Sequence, residues 1–135
     1  RSRGLGDVYK RQAMDVHLVD LNRDGYLDIL YASMHDDTIA WYENNKERNP
    51  SFTTKHTISQ SADSANGIFV ADIDGDGDLD IVSASAGDDK IALYENNGAA
   101  NPTFTTVVIS TSADGAHDFS IAAVDVYCYL DIVSA

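Results

Sequence analysis

A block of ten residues recurs almost unchanged 52 positions further along the chain: residues 20–29 read DLNRDGYLDI and residues 72–81 read DIDGDGDLDI. The same offset of 52 pairs DDTIAWYENN at 36–45 with DDKIALYENN at 88–97, and NPSFTT at 49–54 with NPTFTT at 101–106. After one deletion the offset becomes 51, which links Ser61-Ala62-Asp63 to Ser112-Ala113-Asp114 and LDIVSA at 79–84 to the same six residues at 130–135. Composition alone does not produce long ungapped matches at fixed spacing. They mark a tandem array, in which a unit cannot bury its own faces and must stack on its neighbours.

Each unit reads as four short strands. In the second unit they fall at 68–71, 79–85, 90–95 and 104–110, rich in β-branched and aromatic residues and bounded by Asp, Asn or Gly. Asn96-Asn97-Gly98 is a turn signal, because Asn and Gly tolerate positive φ. No stretch holds a helical period. Four strands in about fifty residues is the size of one propeller blade; a β-solenoid or a string of small sandwiches would share the pattern. The expected fold is all-β, a fragment of a β-propeller with about two and a half four-stranded blades. The units run over 13–64, 65–115 and, incompletely, 116–135. Leu93 replaces Trp41 in the second unit, which suggests an apolar packing position between blades, with carbohydrate stacking as the alternative role for Trp41.

The first twelve residues stand apart. Asp7-Val8-Tyr9-Lys10-Arg11-Gln12 matches the in-frame translation of a transposase adaptor used to build sequencing libraries, and the repeat begins directly after it. Residues 1–12 are therefore expected to be a non-native leader and carry no weight in the fold. They hold four of the nine basic residues, so residues 13–135 combine 5 basic with 21 acidic side chains. Such a surface repels nucleic acid phosphates and anionic membranes, and divalent cations are its natural counter-ions. No apolar run approaches the ~20 residues of a membrane span. Cys128 is the only cysteine, which rules out an intrachain disulfide.

The acids are concentrated in the repeated loop, D-x-[DN]-x-D-G-x-x-D. Oxygens at positions 1, 3 and 5 converge when the backbone curls, and Gly at position 6 permits the sharp turn. A carbonyl at position 7 and a carboxylate at position 9 complete a shell of hard oxygens, which suits calcium better than magnesium. The loops contain no His or Cys, which argues against zinc or copper. In the second loop Asp72, Asp74, Asp76, Asp78 and Asp80 place five carboxylates within nine residues, which would repel one another without a cation. An EF-hand needs Glu at position 12 and a helix directly after the loop. Position 12 is Tyr31 or Ser83, and residues 27–33 and 79–85 are strand-like, so that reading fails.

The D-x-D-x-D-G-x-L-D-I loop, together with the downstream D-D-x-I-A-x-Y-E-N-N strand, resembles the FG-GAP/VCBS repeats of the integrin α propeller and of many large secreted bacterial proteins. The resemblance covers residues 13–135. It implies a structural calcium in a loop joining two neighbouring strands of a blade. Carried over by position, the first site would use the side chains of Asp20, Asn22, Asp24 and Asp28 with the Tyr26 carbonyl. The second would use Asp72, Asp74, Asp76 and Asp80 with the Asp78 carbonyl. Asn22 replaces one carboxylate, so the second site should bind calcium more tightly. A third loop, at 123–131, keeps only Asp125 and Asp131 and is not expected to bind. Its four consecutive differences, ending in Val126, Tyr127, Cys128 and Tyr129, can each arise from one G-to-T change, as in a read error; a decayed site is the alternative.

His17, His35, His56 and His117 fall at four different repeat positions and form no constellation, and no nucleophile elbow or other catalytic signature is present. The expectation is a non-catalytic, calcium-binding scaffold of a secreted or cell-surface protein, mediating adhesion or holding a protein or glycan ligand through its loops. The alternatives are the accessory propeller of a secreted hydrolase or lyase, and a spacer in a large adhesin.

Overall fold

The computed structural model describes residues 13–113, 119–123 and 130–134, with no side-chain description for residues 13, 14, 66, 119–123 and 130–134. The leader at 1–12 and most of the third loop, including Asp125, lie outside the described residues. Every described element is a strand: β1 Ala13–Val19, β2 Asp28–Ser33, β3 Thr38–Glu43, β4 Thr54–Ser59, β5 Ala65–Ala71, β6 Asp80–Ser85, β7 Lys90–Asn96, β8 Phe104–Ser110, β9 Phe119–Ala123 and β10 Leu130–Ser134.

The strands form three antiparallel sheets in simple sequence order, β1-β2-β3-β4, β5-β6-β7-β8 and the pair β9-β10. The first strands β1, β5 and β9 are neighbours in turn, as expected of blades fanned about a common side. The sheets do not close into a ring. The fold is all-β and of the propeller-blade kind, as the four-strand unit predicts.

Strand β5 begins at Ala65, three residues before its expected start. Asn66 and Gly67 look like turn residues, yet a bulge between Ala65 and Gly67 absorbs the irregularity and pairing continues. The first unit repeats this bulge between Ala13 and Asp15. The deletion that changes the offset also lies elsewhere than the sequence match suggests. Asn45 N–H donates to Ser51 O, and Asn97 N–H to Thr103 O, still 52 apart. Glu43 pairs with Thr54 and Glu95 with Thr105, already 51 apart. The missing residue thus falls between 51 and 54, and Thr54 corresponds to Thr105, not Thr106.

Two apolar layers follow from the strand period of two. Leu30, Ala32, Ile39 and Trp41 on one face of the first blade meet Ile68, Ile81, Ala92 and Tyr94 on the facing side of the second. On the opposite face of the second blade lie Val82, Ala84, Ile91 and Leu93. These are the repeat equivalents of Leu30, Ala32, Ile39 and Trp41, so the same four positions are buried in both units. Trp41 is 2% exposed and stacks on His56 with ring centroids 4.5 Å apart. It is a packing residue between blades and offers no open platform to a sugar.

Candidate metal loops

Each Asp-rich loop joins the first two strands of its sheet, β1 to β2 and β5 to β6. The curl is held by the acids themselves. In the first loop Asp20 accepts the amides of Asp24 (3.1 Å) and Gly25 (2.8 Å), Asn22 accepts the Asp24 amide (3.3 Å), and Asp24 accepts the Tyr26 amide (2.9 Å). In the second, Asp72 accepts the amides of Gly75, Asp76 and Gly77, Asp74 that of Asp76, and Asp76 that of Asp78, all at 2.9–3.2 Å. Gly25 and Gly77 take φ of 91° and 92°, which bears out the need for glycine at position 6. Position 4 is also left-handed, at φ 59° for Arg23 and 78° for Gly75, a requirement the motif does not reveal.

In the second loop one carboxylate oxygen from each of Asp72, Asp74 and Asp80 lies within 4.8 Å of the others. Asp76 and the Asp78 backbone sit on the same curl, outside that trio. Burial pushes the Asp74 and Asp80 carboxyls up from their ordinary value, and neighbouring charges (Asp80 and Asp76 on Asp74, Asp76 on Asp80) push the same way. This is the frustration of clustered like charges that a cation would relieve. An all-oxygen donor set of this kind fits a hard divalent ion.

The first loop is arranged differently. The Lys46 ammonium stands 3.2 Å from Asp24 Oδ2. Burial alone would raise the Asp24 carboxyl, but the Tyr26 amide and Lys46 outweigh it and hold the group below its ordinary value. Lys46 is replaced by Gly98 in the second unit, so the second loop has no such cation. Asn22 turns its Nδ2 to Glu43 Oε1 at 3.1 Å, which leaves its Oδ1 toward the loop interior. The other oxygen of Glu43 meets His56 Nε2 at 3.1 Å. A carboxylate thus sits one shell behind the position where Asn22 removed one.

Position 9 does more than the motif implies. Asp28 and Asp80 are fully buried. Asp28 accepts the amides of Leu21 (3.1 Å) and Asn44 (2.9 Å), and Asp80 those of Ile73 (3.0 Å) and Asn96 (2.9 Å). Each ties its loop to the third strand of the sheet. Burial pushes the Asp28 carboxyl up against these bonds, as it does that of Asp80. Asp78, expected to contribute its carbonyl, also places its side chain between blades, 2.9 Å from the Arg23 guanidinium. A Cβ at Gly98 would collide with that carboxylate. Sequence reasoning misses Asn44, Asn96, Glu43 and Arg23. The repeated Asn is visible in the Y-E-N-N match but reads there only as a turn former.

Among the described residues, no helix is long and apolar enough to cross a membrane. The sequence model of the FG-GAP-like repeat matches residues 20–83 and 74–127. No curated protein and no solved structure gives a significant match.

Proposed function

Because the chain belongs to the FG-GAP-like repeat family, we propose that it is a calcium-stapled, non-catalytic stretch of propeller scaffold from a secreted or cell-surface protein. One observation carries the calcium reading: the convergence of Asp72, Asp74 and Asp80 within 4.8 Å, with no basic side chain among them. Asp20, Asn22, Asp24 and Asp28 with the Tyr26 carbonyl form the corresponding first site. Asp76 and the Asp78 carbonyl complete the second. Bound calcium would neutralise each loop and fix the connection between neighbouring strands, which links metal binding to folding. Extracellular modules of this kind bind calcium at roughly 10⁻⁴–10⁻³ M, which suits a site outside the cytosol. Loops at one face of the blades would hold the adhesion partner, a protein or a glycan.

Thermal unfolding with and without millimolar calcium tests this reading, with Asp74→Asn as control. Asp28, Asp74 and Asp80 keep their protons to higher pH in the calcium-free fold than in the unfolded chain, where the ordinary value is 3.8. The calcium-free fold therefore loses stability as pH rises from below that value through the raised ones. Calcium needs the ionised carboxylates, so its stabilisation should appear over the same window. The expected result is a calcium-dependent rise in melting temperature that is larger at pH 7 than at pH 4 and smaller in Asp74→Asn. A melting temperature indifferent to calcium at pH 7 would refute the assignment.

A further inference from the structure

The two metal loops are joined through the interior of the blade interface. Asp28, at position 9 of the first loop, accepts the Leu21 amide at 3.1 Å. The Leu21 carbonyl accepts one hydrogen of the Asn96 side-chain amide at 3.3 Å. Asn96 gives its other side-chain hydrogen to Leu79 O at 3.0 Å and its backbone N–H to Asp80 Oδ1 at 2.9 Å. Asp80 is position 9 of the second loop. Relative exposures along this path are 0% for Asp28, 1% for Leu21, 4% for Asn96 and 0% for Asp80, so water offers no substitute partner. Asn44 makes the equivalent bonds inside the first blade, to Asp28 and to Leu27 O. Asn96 is the copy whose side chain also reaches into the neighbouring blade. A second link, Arg23 to Asp78 at 2.9 Å, runs nearer the surface, with Arg23 62% exposed, and such pairs contribute little.

From this path we infer that Asn96 is a positioning residue that couples the two loops, so that calcium binding at one raises affinity at the other. The inference rests on the calcium reading above. Ordering of the first loop fixes Asp28 and the Leu21 peptide. That peptide fixes the Asn96 amide, and Asn96 presents Asp80 already held. Buried hydrogen-bond networks are stiff, because an unmade bond in them costs the desolvation of its groups. By linkage the effect is reciprocal.

The test is calorimetric calcium titration of the full chain at physiological salt. Disabling the first site with Asp20→Asn should weaken the second site about fivefold, the lower end of ordinary coupling. In an Asn96→Ala background the same Asp20→Asn change should leave the second site within twofold, because the path is cut without any change of charge. A purely structural Asn96 would shift both affinities together and preserve the fivefold ratio, which overturns the proposal, as do independent sites in the parent chain. If Asn96→Ala does not fold, hydrogen exchange in an Asp72→Asn chain, whose second site is disabled as Asp20→Asn disables the first, gives the same answer. Calcium loading of the first loop should slow exchange of the Asn96 backbone amide at least fivefold, and an unchanged rate overturns the coupling. Absence of calcium binding at either loop would instead remove the calcium reading itself.

Discussion

Lys46 and Gly98 occupy the same place in two otherwise similar units, and the difference decides what each loop contains. In the first unit the Lys46 ammonium stands 3.2 Å from Asp24 Oδ2, a carboxylate assigned to calcium. In the second unit the glycine, at φ 74°, yields the space to Asp78. A divalent ion at the first site must therefore displace a lysine, in addition to working with Asn22 in place of a carboxylate. Both effects favour the second site. Lys46→Ala should tighten calcium at the first site by about two- to fivefold, the scale of a half-exposed ion pair. Calcium titration in an Asp72→Asn background, where only the first site remains, reads this directly. A weaker first site in Lys46→Ala would mean that the lysine orders the loop more than it competes with the ion.

At the scale of elements, the repeat offset makes interface positions comparable from blade to blade. Trp41 fills the seam between the first two sheets, and its equivalent Leu93 lies in the apolar layer on the far face of the second sheet. Truncating the buried indole should cost roughly 3–5 kcal/mol, whereas Trp41→Leu, which restores the residue of the second unit, should cost clearly less. Urea unfolding of the calcium-loaded chain separates the two. Equal losses would indicate that the Trp41–His56 stack, rather than buried volume, holds the seam. Much of this is legible in the sequence, because strand alternation and a 52-residue offset mark which side chains must face a neighbour. The four-strand unit, the glycine turn and the Trp41 position can all be read from it. Hidden from the sequence is long-range pairing among side chains whose residue types have other common uses. Asn96 reads as a turn residue, Glu43 as a surface acid and Arg23 as a spacer. The register of β3 and β7 against the loops brings Glu43 to Asn22 and Asn96 to Asp80, and the stacking of one loop beside the next brings Arg23 to Asp78.

For the whole molecule, the critical surface is the outer face of the first blade. Val16 and Leu18 are 54% and 64% exposed, while Ile68, at the position equivalent to Val16, is 2% exposed. Val70, equivalent to Leu18, packs against the inter-blade core. Beside them Tyr31 and Tyr42 stack with centroids 5.7 Å apart, and the Lys55 ammonium stands 5.8 Å from the Tyr31 ring centroid. The same sheet face is thus an interior surface in the second unit and an open one in the first, with none of the described residues covering it. Contiguous apolar surface of this kind, on a sheet that does not close, drives association. At micromolar concentration the 135-residue chain should therefore self-associate even with calcium present. Leu18→Lys should shift it toward monomer without loss of strand content, as measured by sedimentation velocity and circular dichroism. The matching change Val70→Lys, at a half-buried position packed against the seam, should instead reduce stability, because it removes apolar contact and brings a charge to the edge of the inter-blade core. A wild-type chain that is monomeric and melts sharply would contradict this and show that the first blade tolerates an open face. Equal effects of Leu18→Lys and Val70→Lys would show that the two blades are not packed in the order the contacts give.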